Sequence, residues 1–237
     1  MRIAIDVGNT FVKIGYFKNH LLEKKLVLPI NEIIWSEIVS SKTEAIIVSA
    51  SGNLDQELVH TISSLSAKTH FLTHKSLLPI LIKYKTPHTL GLDRIAGAAG
   101  CHTLFENKKN LIIDAGTAIT YDFLDKNSFL GGNISPGLSL RYRSLNEFTA
   151  RLPLGKTPEE PKLYGTNTDE AIDNGVFNGT LYEIEETIFR FQEEYSEINI
   201  VLTGGDAHFF ANKIKKTIFA EPNLVLIGLN RILSYNV

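Results

Sequence analysis

The sequence is nearly free of sulfur: its 237 residues hold one cysteine, Cys101, and one methionine, Met1. A single cysteine excludes an internal disulfide. Cys101 lies in an apolar stretch with Ala98, Ala99 and Leu104 and reads as a buried structural thiol rather than a nucleophile. The seven histidines are scattered and show no metal-ligand spacing. Charge of one sign is also lacking. The net charge is −2, which leaves no electrostatic footprint for nucleic acid. No apolar run approaches the ~20 residues that span a bilayer, so no membrane partner is expected. Met1-Arg2 leads straight into an apolar run without a leader pattern, which places the protein in the cytoplasm by default. There is no P-loop lysine motif, no G-x-G-x-x-G and no G-x-S-x-G. Their absence argues against a P-loop kinase, a Rossmann dehydrogenase and an α/β-hydrolase. What remains is ordinary: 43% hydrophobic and 21% charged residues, enough to bury a core. The length allows one large domain or two lobes of about 110 residues.

Two short stretches organise the rest. Asp6-Val7-Gly8-Asn9-Thr10 follows the apolar Ile3-Ala4-Ile5, and Asp114-Ala115-Gly116-Thr117-Ala118 follows Leu111-Ile112-Ile113. Each leads into a second β-prone run, Phe11 to Phe17 and Ile119 to Leu124. Each therefore reads as strand, tight turn, strand. The copies align without a gap, Asp6 with Asp114 and Gly8 with Gly116. Asp, Gly and Asn are common in any hairpin turn. Two copies in equivalent settings instead suggest a duplicated domain with nucleotide between the halves. Glycine lets backbone approach phosphate oxygens. A carboxylate at a strand end suits Mg²⁺, which takes carboxylate, water and phosphate oxygens.

The elements around them repeat as well. A third strand is expected over Leu21–Leu28, a helix capped by Asn31 and running to about Val39, a strand over Ala45–Val48, a helix over Leu54–Leu65 with Leu54, Leu58 and Ile62 on one face, and an edge strand over His70–Leu72. The second half offers strands over 111–113, 119–124 and 129–134 and a helix opened by Pro136-Gly137. A long helix from Thr168 to about Tyr195 follows, with possible breaks near Gly175 or Gly179. Then come a strand over Ile198–Leu202, a helix to about Ile214, and Leu224–Ile227 followed by a terminal helix. Gly91 to Phe105 is a helix rich in small residues, suited to close packing. The expected class is α/β, with two ribonuclease H-like lobes: an N-terminal lobe over 1–90, and the connecting helix with a second lobe over 91–237.

Three further stretches carry possible chemistry. In Gly91-Leu92-Asp93-Arg94, Asp93 either favours the helix dipole or serves as a general base, and Arg94 is either solvated or grips an anion. Gly131-Gly132-Asn133-Ile134-Ser135-Pro136-Gly137 is either a bulged strand end before a helix or a backbone surface for a ligand. Thr203-Gly204-Gly205-Asp206-Ala207 is a strand-to-helix loop that could lie against a base or ribose.

Taken in order with Thr149-Ala150-Arg151-Leu152-Pro153 and Gly165-Thr166-Asn167-Thr168, these motifs resemble those of type III pantothenate kinases over nearly the whole chain. That family belongs to the acetate and sugar kinase, Hsp70 and actin superfamily. The resemblance implies ATP-dependent phosphorylation of pantothenate to 4′-phosphopantothenate, the first step of coenzyme A synthesis. It implies that Asp6, Val7, Gly8, Asn9, Thr10, Phe11, Val12 and Lys13 form an ATP phosphate loop, with Asp6 near Mg²⁺. It implies that Gly91, Leu92, Asp93 and Arg94 line the pantothenate site with Asp93 as proton acceptor. Tyr84, in a Tyr-x-x-Pro segment, would touch the same substrate. Asp114 would hold a monovalent cation, K⁺ or NH₄⁺, and Thr117 would touch ATP. Thr168 would contact pantothenate in its own subunit or across the interface of a homodimer. A catalytically silent binding or regulatory protein is the competing reading, and the three carboxylates weigh against it.

Overall fold

The computed structural model describes residues 1–8, 11–40, 42–50, 52, 56–65 and 68–237. They form two compact units, Met1–Lys108 with Leu124–Gly131 and Asn223–Val237, and Lys109–Phe123 with Gly132–Pro222.

In the first unit β1 (Arg2–Val7), β2 (Phe11–Lys18), β3 (Leu21–Pro29), β4 (Ala45–Ala50) and β5 (Thr69–Phe71) form a sheet in the order β3-β2-β1-β4-β5. β1 pairs antiparallel with β2 and parallel with β4, so that Asp6 lies opposite Lys13 on one side and Ser49 on the other. Alternation sorts the side chains. Ile3, Ile5, Val7, Val12, Ile14, Ile46 and Val48 enter one core with Ile38 and Ile62. The expected helix from Asn31 to Val39 is broken: a 3₁₀ turn covers Ile30–Glu32 and α1 only Trp35–Ile38, with Ile33 and Ile34 extended between them. Asn31 caps neither. Two adjacent β-branched residues disfavour the helix, and their extension brings Ile33, Trp35 and Val39 onto the core. α2 covers Gln56–Leu65 with Ile62 buried. Leu54 and the side chain of Leu58 lie outside the described residues. A two-residue strand, β6 (Leu81–Ile82), pairs parallel with Ser128–Phe129.

The other face of this sheet is covered by α3 (Leu92–Leu104) and α7 (Leu224–Asn236). Leu224–Ile227 does not form a separate element but is the first turn of α7. Its run of apolar residues reflects burial on a helix rather than a strand. The small residues of α3 do admit a neighbour, and it is α7. A Cβ on Gly228 would stand 1.7 Å from the Ala96 carbonyl oxygen, and one on Gly100 would stand 2.1 Å from that of Leu224.

The second unit repeats the strand order. β7 (Lys109–Ala115), β8 (Ala118–Asp125), β9 (Ser128–Pro136), β10 (Asn199–Thr203) and β11 (Phe219–Ala220) run β11-β10-β7-β8-β9, with β6 next to β9. α4 (Leu138–Glu147) and α6 (Ala207–Ala211) are short, whereas α5 (Thr168–Glu194) runs 27 residues without a break. Gly175 and Gly179 face outward, and the buried stripe Ile172, Val176, Phe177, Thr180, Ile184, Ile188 continues past them. That burial outweighs a glycine penalty of about 1 kcal/mol each. Asn167 caps α5 by accepting the Glu170 N–H at 2.9 Å, and Glu170 in turn accepts the N–H and hydroxyl of Thr166. Tyr121 and Arg141 both bond Glu183, and Arg141 also holds the Pro136 carbonyl at 2.8 Å, which ties the end of β9 to α4 and α5. Among the described residues no helix is long and apolar enough to cross a membrane.

Candidate active site

The turn after β1 is shaped by glycine. The Gly8 N–H donates to the Phe11 carbonyl at 3.0 Å. It is thus used inside the turn, and the donors left for a phosphate belong to the residues that follow. Asn9 and Thr10 lie outside the described residues. Val7 and Val12 are buried in the core, so those two positions could offer a ligand only their backbone, while Phe11 is half exposed. Asp6 is the penultimate residue of β1 and is 8% exposed. Burial pushes its carboxyl up to about 6, the Lys13 ammonium opposes that, and the neighbouring Asp93 carboxylate adds to it.

That shift has a sign that can be checked. Ionising Asp6 costs the folded chain free energy that the unfolded chain does not lose. The penalty is absent below about pH 4, where the carboxyl is protonated in both states, grows to about pH 6 and is full above it. Asp6→Asn is therefore expected to be more stable than the parent at pH 8 without divalent cation, by on the order of 2–3 kcal/mol, and to melt at a higher temperature. The gain should vanish near pH 4. Thermal melts at the two pH values, compared between the two proteins, check this; equal melts at pH 8 would mean that Asp6 is not destabilising.

Asp93 comes to the same place from α3. It sits in the first turn behind the N-cap Gly91, and its Oδ1 accepts the Arg94 N–H at 2.8 Å. A Cβ on Gly91 would meet that oxygen at 2.4 Å, so only glycine leaves the carboxylate this position. Asp93 thus bonds its own helix end, as an acid favouring the dipole would, and its charge reaches Asp6. Arg94 is buried, with 7% of its surface exposed. Its guanidinium lies 5.9 Å from the Tyr84 ring centroid and 5.7 Å from that of Phe129, and those two rings meet edge to face at 6.2 Å. Cation–π contact of this kind holds a guanidinium in place. The sequence marks Phe129 only as the first residue of the expected strand 129–134, with no sign of a role at this site. Nor does it mark His74, whose Nε2 contacts the Leu90 carbonyl at 2.8 Å just before Gly91. The structure therefore brings Asp6, Lys13, Asp93, Arg94 and Tyr84 together in one unit.

The second turn is one residue tighter: the Gly116 N–H donates to the Ala118 carbonyl at 3.0 Å. Thr117 is its exposed residue. Two other motifs gather on it. Gly137 donates its N–H to the Thr117 carbonyl, and a Cβ there would lie 2.0 Å from the Gly116 carbonyl oxygen. Gly204, at φ +101, packs against the Ala115 carbonyl and the Asp114 carboxylate, either of which a Cβ would strike within about 2.5 Å. Residues 131–136 are strand, and α4 begins two residues after Pro136, so that proline does not open the helix. Thr168 stands apart from this turn, exposed at the start of α5 beside a cavity of 570 Å³ shared with Arg141, Leu145 and Ile172.

These residues can be tested against the ions a kinase site would need. Asp6 is a buried carboxylate that no donor among the described residues bonds, with a second carboxylate beside it; a divalent cation is the charge it lacks. Asp114 is a carboxylate flanked by the backbone of two glycine turns, an oxygen-rich setting of the kind alkali cations take. Among the described residues no three His, Cys, Asp or Glu side chains cluster as an all-protein metal cage.

Two sheets with the same strand order, each carrying an acid-glycine turn after its first strand, define the fold of the actin, Hsp70 and sugar kinase superfamily. Solved structures agree. The activator of 2-hydroxyisocaproyl-CoA dehydratase from Clostridium difficile, with bound ADPNP, superposes at a TM-score of 0.52 and 12% identity, covering 99% of this chain and 93% of that one. A conserved protein of Campylobacter jejuni, described as a Baf family transcriptional activator, reaches 0.65 at 24% identity, covering 99% and 98%. At such identities the likeness shows the fold. The family follows from the sequence: the family model for type III pantothenate kinase matches residues 2–190, and the chain belongs to that family of kinases. It is 43% identical over 239 residues to the type III pantothenate kinase of Cytophaga hutchinsonii, covering 100% of both chains. It is 40% identical to that of Flavobacterium johnsoniae, covering 100% and 99%.

Proposed function

We propose that this chain transfers the γ-phosphoryl group of ATP to the primary alcohol of pantothenate, giving 4′-phosphopantothenate for coenzyme A synthesis, as a homodimer in the cytoplasm. The observation that carries this reading is that the buried Asp6 carboxylate feels the charge of Asp93, which comes from a separate element and adjoins in sequence the ring-held Arg94. Asp93 accepts the proton of the attacking hydroxyl. Arg94, held by Tyr84 and Phe129, takes the carboxylate of pantothenate, and Thr168 makes a further contact to that substrate. The backbone from Phe11 to Lys13, the Lys13 ammonium and Thr117 take the phosphates of ATP. When bound, Mg²⁺ at Asp6 and K⁺ or NH₄⁺ at Asp114 neutralise charge that builds on the transferring group. Phosphoryl transfer through a loose transition state asks mainly for such positioning and charge, so a carboxylate base suffices.

The test is ADP release from Mg-ATP, with and without pantothenate and with and without K⁺. Turnover is expected only with pantothenate, and exchange of K⁺ for Na⁺ should lower it by about tenfold or more. Asp114→Asn should respond to neither cation. A K⁺ response that survives in Asp114→Asn places the cation elsewhere. A folded chain that binds nucleotide but never turns over supports the binding or regulatory reading instead.

A further inference from the structure

A second set of cationic side chains lies at the opposite end of β1. Arg2 starts that strand and Asp6 lies near its end, about 13 Å away at the usual rise per residue. Arg2, Asn19, His20, Arg231, Ser234 and Tyr235 line a cavity of 590 Å³ in the first unit, within the range of small-molecule pockets. Asn19 and His20 form the β2–β3 turn; the other three come from the last turns of α7.

This cavity is built, not incidental. Asn19 takes the left-handed conformation at φ +56, and its carbonyl accepts from Asn230 Nδ2 at 3.0 Å, which pins the turn to α7. Arg231 is held as well: its guanidinium lies 5.3 Å from the Tyr235 ring centroid, with Nη2 at 3.4 Å from the Tyr235 hydroxyl. No acid lines the cavity. Among the described residues neither Arg2 nor Arg231 has a carboxylate within 4.0 Å. Glu44 feels the charge of Arg2, but its carboxylate is bonded to the N-terminal ammonium at 2.5 Å. Two half-buried guanidiniums thus share a cavity with an imidazole, two hydroxyls and an amide, and with no counter-charge. Guanidinium forks match phosphate oxygens two at a time, and the Tyr235 hydroxyl and Asn19 amide add single donors, while the Ser234 hydroxyl already donates to the Arg231 carbonyl at 2.6 Å.

We propose that this cavity is a second anion site, separate from the phosphate turns, that takes the phosphate monoester or diphosphate group of a small metabolite. The probe is inorganic pyrophosphate, titrated calorimetrically into the full chain at constant ionic strength and without divalent cation. One saturable site is expected. Arg231→Gln and Arg2→Gln should each weaken it by about tenfold or more, with unchanged melting temperature in the absence of ligand. Lys216→Gln removes a positive charge elsewhere and should leave the affinity as it was. Equal weakening there would reduce the effect to net charge and overturn the assignment. So would binding that neither arginine variant alters, which would place the anion at the phosphate turns. No saturable binding, or equal binding of citrate, would also overturn it.

Discussion

Asp93→Asn is expected to keep the fold and lose turnover by on the order of 10²–10⁴-fold. The fold should persist because an asparagine Oδ1 can still accept the Arg94 N–H that Asp93 accepts at 2.8 Å. The helix start and the ring-held Arg94 are then unchanged, so the KM for pantothenate should move little. What disappears is the proton acceptor and one of the two charges facing the transferring group. The loss should therefore fall on kcat rather than KM. Steady-state kinetics together with a circular dichroism melt separate the possibilities. Wild-type kcat in a folded variant would sink the base assignment, and a rise in KM alone would make Asp93 a binding residue.

Gly228→Ala is expected to lower stability by several kcal/mol, a drop of about 10 °C in melting temperature. The added methyl would lie 1.7 Å from the Ala96 carbonyl oxygen, which is backbone and cannot rotate away. α3 and α7 would have to separate, and with them the helix that carries Asp93 and Arg94. Gly97→Ala is the internal control. It lies one residue along α3 from Ala96, but a Cβ there meets nothing within 4 Å. It should melt close to the parent. Similar melts for the two variants would show that the close approach of the helices is not what holds them together.

The strands and both acid-glycine turns were legible in the sequence because their signals are local. Ile3-Ala4-Ile5 and Leu111-Ile112-Ile113 are short apolar runs stopped by Asp and Gly, a pattern that specifies buried strand and turn without reference to the rest of the chain. The carboxylates Asp6, Asp93 and Asp114 stand out as candidates for the same reason, from the stretches around them. What depended on distant partners was not legible. β6 and β11 have two residues each and exist only because a neighbouring strand receives them. Leu224–Ile227 is as apolar as a strand because α7 lies between a sheet and α3. The role of Phe129 depends on a guanidinium 35 residues earlier. That the Gly8 N–H closes the turn onto the Phe11 carbonyl was not legible either, since it depends on the fold of the turn itself. No run of sequence near Arg2 hints that Arg231 will stand beside it.

The return of α7 to the first sheet also bears on how the chain is made. Met1 to Lys108 is made before Asn223–Val237, so this unit lacks α7 until the whole second unit has been made. Ala4, Gly15 and Ile47, on the sheet face that meets α7, and the Ala96–Gly100 stretch of α3 have no cover until then. The second unit, complete at Pro222, has all its parts earlier. The unit whose first segment is made earlier is thus the one completed later. During elongation, its exposed apolar face is the surface on which a chaperone would act.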